Sequence, residues 1–401
     1  MNILFLHRTF PGQFQHIAPE LAKNPQNVVI FMTAETRIEV PRINKLVYAT
    51  KPIPQNVHPY LGDYEEALGH AQAAADIAIA MKNKGIKPDI IYGHSWGSTM
   101  FMKDIFPDVP LLCYFEWFGR AEGSAIGFDG NIPNLEYREK IRCNNAQLLL
   151  DLSSCDAGIT PTYWQREQFP KEFHHKIKVL HDGVDTNFCV PNNQAKFVIQ
   201  DKNLTLTAQD EVITYGARGM EPFRGFPQFM EATEKLLKKR PNAHVVIAGD
   251  DRAYYGEPLK EGTYKELMLK KLNLDMNKVH FVGVLTLREY INLLQVSSAH
   301  VYLTYPYILS WSILNAMSAE CCVIASNTAP VLEIMEDNYN GLFVDFFNVD
   351  ELVDKIEYAL DNQKELQSIR KNARQTVLDK YSLEKLLPQH IEYINDVKNK
   401  R

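Results

Sequence analysis

Short β-rich runs separated by long helical patterns occur twice along this chain, and that double alternation constrains the fold more than any single motif. In the first half, runs at Ile3–Leu6, Val28–Met32, Leu46–Ala49, Asp89–Tyr92, Leu111–Phe115 and Gly158–Thr160 predict strands. Between them, the Ala-rich segment Asp63–Lys84 carries apolar residues at helical spacing, and Gly85 and Pro88 end it before the strand IIYG. A strand–helix–strand succession of this kind is a βαβ unit, which pairs its strands in parallel. After a polar stretch at Pro191–Gln200 the pattern restarts, at Val212–Tyr215, Val245–Ala248, His280–Val282, Val301–Thr304, Val323–Ala325 and Leu342–Val344. A chain of 401 residues exceeds one ordinary core. The expected fold class is therefore α/β, with two Rossmann-like doubly wound domains at 1–190 and 191–383. Ligands of open α/β sheets sit beyond the carboxyl ends of the strands, so two such sheets facing each other would make one cleft.

Charge and composition narrow the partners. A net charge of −6 argues against a polyanion-binding surface, so nucleic acid is not an expected partner. The start, MNILFLHRTFPGQ, reads as a first strand rather than a signal peptide, because only a short apolar run precedes His7 and Arg8 and no basic leader stands before it. No stretch approaches the roughly 20 apolar residues of a spanning helix, which leaves at most peripheral membrane association. The six cysteines show neither paired metal spacing nor the density of a disulfide scaffold, and they fit buried thiols in a reducing, cytoplasmic setting.

The second half carries the most informative residues. The strand VITYGARG leads to Arg218, and Arg224 follows in EPFRGF just before a helical run from Phe226. Two guanidiniums near a helix N-terminus suit a diphosphate, since forked donors match phosphate oxygens and the helix start adds free N–H groups. Further on, Ser310 and Trp311 open another helix directly after the strand VYLT, a second candidate anion site. A solvated arginine pair, a capping serine and a core tryptophan are the structural alternatives. Gly216 and Gly219 do not complete a G-x-G-x-x-G fingerprint, so no nicotinamide cofactor is expected.

Several segments together resemble the family 4 glycosyltransferases, over most of the chain: HDGVDTNFCVP at the linker, ARGMEPFRGFPQFMEAT, AHVVIAGDD, and SWSILNAMSAECCVIASNTAPVLEIMEDNYNGLFVDFFNVDEL. The resemblance implies the GT-B fold and a retaining, metal-independent transfer from a nucleotide-diphosphate sugar to a glycan, lipid-linked, protein or small-molecule acceptor. It implies a diphosphate site at Arg218 and Arg224, supported by the helix from Ser310, and base recognition around Gly283 and Val284. In the first domain it implies a loop at Gly12 near the substrates and a histidine, His94, near the reacting sugar; Glu116 and Arg120, in YFEWFGR, follow a strand end facing the same region. It further implies a hinge at Asp182–Asp185 and a C-terminal helix, 384–401, returning to the first domain, with Pro388 as its kink or its start. No D-x-D occurs in the chain, in keeping with arginines rather than a metal ion neutralising the diphosphate.

One departure bears on mechanism. Where the family usually carries two glutamates, facing the donor sugar and the ribose, this chain has Tyr307 and Asn315. Asparagine still hydrogen-bonds, but it lacks the charged acceptor whose bonds are roughly twice as strong. A non-catalytic partner subunit is therefore an alternative to an active transferase. A reading from another class rests on Gly93–Gly97, GHSWG, which matches the G-x-S-x-G elbow of α/β-hydrolases with Ser95 as nucleophile. Against it stand the missing glycine-rich oxyanion loop and a second Rossmann-like half left without a role.

Overall fold

In the computed structural model, which describes residues 1–256 and 258–400, the first strand already shows how the chain divides its apolar residues. Strand β1, Asn2–Leu6, pairs in parallel with β2, Val28–Thr33, on one side and with β4, Ile90–His94, on the other. Alternate residues point to opposite faces. Leu4 and Leu6 join Ile30, Met32, Ala74 and Ala78 in one core cluster, while Ile3 and Phe5 join Phe14, Val29 and Phe31 in another. Buried on both faces, the strands read as continuous apolar runs, as all-parallel sheets require. With β3 (Ile43–Val47), β5 (Leu111–Tyr114), β6 (Ala157–Thr160) and β7 (Ile177–Val179), the sheet runs in the order β3-β2-β1-β4-β5-β6-β7. The predicted Ala-rich helix spans Gly62–Asn83 and turns Ala67, Ala71, Ala74 and Ala78 inward. Its small side chains allow close approach: a Cβ on Gly97 would collide with the backbone carbonyl of Ala67.

The second unit repeats the plan. Strands β10 (Val212–Gly219), β11 (His244–Asp250), β12 (Val279–Gly283), β13 (Ala299–Tyr302), β14 (Val323–Ser326) and β15 (Leu342–Val344) are all parallel, in the order β12-β11-β10-β13-β14-β15. The stretch read as a polar connection is in part a hairpin, β8 (Lys196–Ile199) against β9 (Leu204–Thr207). It buries Phe197, Ile199 and Leu206 against Val212 and Val246. Asn203 makes the turn with φ 48°, a left-handed conformation that asparagine tolerates.

The chain divides into Met1–Gly183 with Leu383 onward, and Val184–Ser382. The boundary expected at 190 falls earlier: residues 184–190 belong to the second unit, where Val184 and Cys189 are buried beside Leu314 and Met317. The final helix runs Leu383–Asn399 with Pro388 inside it, so the proline is not its start. Its Leu386, Ile394 and Val397 complete the first unit's core against Ile3, Phe5 and Tyr92.

In each sheet the order reverses beside the first strand of the repeat: between β1 and β4 in the first unit, and between β10 and β13 in the second. Such switch points are where open α/β sheets bind ligands.

Candidate functional site

At the switch point of the second unit, β10 carries Gly216, Ala217 and Arg218 just before its last residue, Gly219, and β13 leads through Thr304 toward Ser310. Gly216, Ala217, Arg218 and Ser310 share two adjoining cavities. The smaller is lined by Arg218, Arg224, Tyr255, Tyr302, Ser310 and Ser312 among others. The larger also touches Arg218, Ser310 and Ser312 and extends to Ala248, Tyr254, Val284, Leu285 and Tyr290. Gly216 lies at the junction of the two, and a Cβ there would stand 2.7 Å from the Tyr290 ring.

The two arginines differ in how they are held. Arg224 is 5% exposed and donates through Nη1 to the Thr304 hydroxyl at 2.7 Å and to the Ile308 carbonyl at 3.1 Å. Its own carbonyl accepts from the Tyr215 hydroxyl. Arg218 is exposed, with its guanidinium 4.2 Å from the centre of the Tyr254 ring; Arg224 lies 5.1 Å from that of Tyr255. Both tyrosines belong to the loop after β11, and Glu221 fixes that loop, its Oε2 accepting the backbone N–H groups of Tyr254 and Tyr255 at 2.6 and 2.7 Å. Glu221 is fully buried. Burial raises its pKa, and the two N–H donors work against that rise. The result is a pair of cations seated on aromatic faces at the mouth of one cavity.

Ser310 caps the helix Trp311–Ser318 as the sequence suggested. Its Oγ accepts from the Ser312 backbone N–H and hydroxyl, and its own N–H donates to the Tyr302 hydroxyl. The remaining predicted residues of this half are more scattered. Gly283 ends β12 with φ 67° and open space where a Cβ would be, and Val284 is 74% exposed at the larger cavity. Tyr307 packs its ring among Phe223 and Tyr255. Asn315 accepts from the Cys189 thiol, 3.6 Å from its Oδ1, on a face of the helix that packs against the segment around residue 189.

The switch point of the first unit gathers a second polar group. His7 follows β1, His94 ends β4, and Glu116 follows β5. Only 1% of His94 is exposed, neither ring nitrogen has a hydrogen-bond partner among the described residues, and Nε2 lies 3.8 Å from Glu116 Oε2. Burial, reinforced by His7 and Arg8, holds its pKa well below the usual value, so the ring is neutral. Gln13 donates to Glu116 Oε1 at 2.8 Å and accepts from His7 at 2.6 Å. Gly12 makes this possible. Its φ is 53°, and a Cβ would stand 2.6 Å from the His7 ring. Arg120 is turned away, bonded to the carbonyls of Glu167 and Gln168.

The same region rules out the hydrolase elbow. Ser95 is fully buried, and its hydroxyl donates to the Tyr114 carbonyl at 3.0 Å rather than to an imidazole. Gly93 and Gly97 are packing glycines, in close approach to Thr99 and Ala67. A nucleophilic serine needs a base within hydrogen-bond reach and an open face.

Sequence reasoning missed Glu221, Tyr254, Tyr255, Ser312 and Tyr290. Only Ser312 carried a local signal, as the second residue of a serine-capped helix.

Comparison with known proteins bears on the family and the fold. Residues 25–189 match the glycosyl transferase family 4 group, and residues 199–376 match glycosyl transferases group 1. An uncharacterized glycosyltransferase of Methanocaldococcus jannaschii is 23% identical over 386 residues, covering 94% of this chain and 91% of that one. Among solved structures, Anabaena HepE in complex with UDP superposes with a TM-score of 0.71 at 16% identity, covering 99% of this chain and 100% of that one. Sucrose-phosphate synthase from Thermosynechococcus elongatus gives 0.72 at 14% identity, with 99% of each chain covered. With both halves matched, the chain belongs to the group 1, family 4-like glycosyltransferases and is a transferase of GT-B fold.

Proposed function

We propose that this protein moves a sugar from a nucleoside diphosphate sugar to an acceptor hydroxyl, with retention of anomeric configuration and without a divalent metal. The observation that carries the reading is the convergence of Arg218, Arg224 and the Ser310-capped helix on adjoining cavities at a switch point. In this reading Arg218, Arg224 and the helix start bind the diphosphate. Val284, Leu285, Tyr290 and the backbone at Gly283 receive the nucleoside, and Tyr307 with its aromatic neighbours stands toward the sugar. Half-buried Trp311 opens that helix beside the site, and Asn315, expected to meet the donor, is bonded to the Cys189 thiol. HepE has been crystallised with UDP and with UDP-glucose, which supports a uridine nucleotide as the first donor to test.

In the first unit, His94 and Glu116 contact the reacting sugar or the acceptor, and Gly12 lets the loop after β1 close around them. As the bond from the anomeric carbon to the diphosphate oxygen breaks, the acceptor oxygen bonds to that carbon on the same face. Its proton passes to the departing diphosphate oxygen. The protein contributes by holding both substrates in register and stabilising the charge that develops on the diphosphate, each effect worth several kcal/mol. Cationic side chains take the part that a metal would otherwise play, supported by the two arginines at one cavity. The acceptor is a sugar, a lipid-linked intermediate, a protein or a small molecule, in glycan or glycoconjugate synthesis. A cytoplasmic setting suits the six unpaired thiols, and among the described residues no helix is long and apolar enough to cross a membrane.

The test is calorimetric titration with UDP, UDP-glucose and NAD, followed by assay of UDP release with and without a chelator. Binding of the uridine nucleotides but not NAD, with chelator-insensitive UDP release, is the expected result. Failure to bind any nucleoside diphosphate would overturn the proposal. Binding without turnover across a panel of donors would favour a non-catalytic subunit.

A further inference from the structure

The seven residues from His7 to Gln13 form a loop that is closed on itself by directional hydrogen bonds. The Thr9 backbone N–H donates to His7 Nδ1 at 2.9 Å. A backbone amide can only donate, so Nδ1 must be the unprotonated nitrogen and the imidazole proton resides on Nε2. Burial lowers the His7 pKa to about 4, so this neutral tautomer persists through the physiological range. The Nε2–H then donates to Gln13 Oε1 at 2.6 Å. That bond selects one of the two orientations of the Gln13 amide. The other would set an NH₂ against an N–H and a carbonyl oxygen against a carboxylate. In the selected orientation the amide nitrogen donates to Glu116 Oε1 at 2.8 Å, across 103 positions of sequence. Glu116 is placed from its other end as well, by the bond from Gln165 to its backbone carbonyl at 2.7 Å.

We propose that His7 and Gln13 are positioning residues: a half-buried wire, running from the Thr9 amide through the buried His7 ring and Gln13, sets the rotamer of the Glu116 carboxylate that stands 3.8 Å from His94. The inference rests on the reading that Glu116 contacts substrate. Neither residue of the wire needs to touch substrate itself. The directionality gives the wire its function. Each bond has one donor and one acceptor whose roles are fixed by the bond before it, so the carboxylate is met by a donor whatever its surroundings. Gly12 belongs to the device, because only a residue without Cβ leaves room for the His7 ring beneath the loop.

The test compares Gln13→Leu, His7→Phe, their double variant and Glu116→Gln, measuring UDP release from UDP-glucose and UDP affinity. The expected outcome is a fall in kcat of about tenfold to a hundredfold in each single wire variant, the scale of a misplaced catalytic group. KM for UDP-glucose and affinity for UDP should stay within about twofold. Because the two residues act in series, the double variant should be no slower than the worse single one. If Glu116→Gln leaves turnover intact, the reading of Glu116 fails and the wire with it. If Glu116→Gln is slow while Gln13→Leu and His7→Phe are not, or if the two wire effects multiply, the wire is overturned and the reading of Glu116 stands. A second measurement needs no turnover: the side-chain amide of selectively ¹⁵N-labelled Gln13 should be protected from hydrogen exchange in the wild type and lose that protection at least tenfold in His7→Phe. Unchanged protection would equally refute the wire.

Discussion

Replacing Arg218 and Arg224 separately by alanine distinguishes a binding role from a structural one, because the two side chains are held so differently. Arg218 is exposed and rests on the face of Tyr254. Its removal leaves no buried partner stranded, so apo stability should stay within about 0.5 kcal/mol, the usual range for surface substitutions. Arg224 is buried and satisfies the Thr304 hydroxyl and the Ile308 carbonyl. Stranding those acceptors costs about 1–3 kcal/mol, which lowers the melting temperature of a unit this size by roughly 2–12 °C. Nucleotide affinity should fall in both variants. Loss of one charge-assisted hydrogen bond to a phosphate oxygen is worth about 1.5–3 kcal/mol, or roughly tenfold to 150-fold in Kd at about 1.4 kcal/mol per decade. Arg224→Lys keeps the charge but cannot reach both Thr304 and a phosphate oxygen with one planar fork, so it should recover only part of the loss. The assay is calorimetric titration with UDP at fixed low salt, paired with scanning calorimetry of the apo proteins. Wild-type UDP affinity in both alanine variants would refute the diphosphate site. A destabilisation in Arg218→Ala equal to that in Arg224→Ala would refute the division of roles drawn from burial.

Ser95→Ala removes one hydroxyl bond to the Tyr114 carbonyl and should cost about 0.5–1.5 kcal/mol of stability without slowing transfer; covalent labelling of Ser95 by a fluorophosphonate would restore the hydrolase reading. Asn315→Glu should lower the melting temperature and leave UDP affinity unchanged, since it sets a carboxylate against Cys189, a thiol that burial already pushes up to about 12; tighter UDP binding would show that the side chain reaches the nucleotide. Acidification should destabilise the protein well above the carboxylate range. His7 and His390 are lowered to about 4, and His181 and His300 to about 3, in each case chiefly by burial. Their folded pKa values lie below the unfolded one, so their neutral forms stabilise fully above pH 6.5, and each loses about 1.4 kcal/mol per pH unit as pH falls from there toward 4. Asp151, raised to about 7 by burial, opposes this and offsets part of it; a melting temperature flat between pH 7.5 and 5 would contradict the burial assigned to these histidines.

The parallel sheets were legible because their strands are buried on both faces, so runs such as ILFL and VVIA stand out without periodicity. The hairpin of β8 and β9 was not, since Lys196, Val198 and Thr205 alternate outward and dilute the apolar signal beside the polar residues 191–194. The boundary near residue 183 was likewise hidden. What assigns Val184 to the second unit is its N–H bond to the Tyr381 carbonyl, a partner no local pattern announces. At the site, a motif located Arg218, Arg224 and Ser310, each at the end of a strand or the start of a helix. Glu221 went unnoticed because its partners, Tyr254 and Tyr255, are 33 and 34 positions away and are brought to it only by the pairing of β10 with β11. Asn315 shows the opposite failure. Linear correspondence suggested a ligand-facing residue, whereas the turn of the helix directs its amide to Cys189.

The return of the last helix to the first unit makes Val184–Ser382 an insertion within another unit's sequence. During synthesis at about 5–20 residues per second, the ribosome spends roughly 10–40 s on that insertion. For this interval the core around Ile3, Phe5 and Tyr92, which Phe14, Ile17 and Leu21 already cover in part, still lacks Leu386, Ile394 and Val397. The inserted unit, complete in itself, is free to fold first. The first unit, begun first, is thus the last to have all of its core residues available.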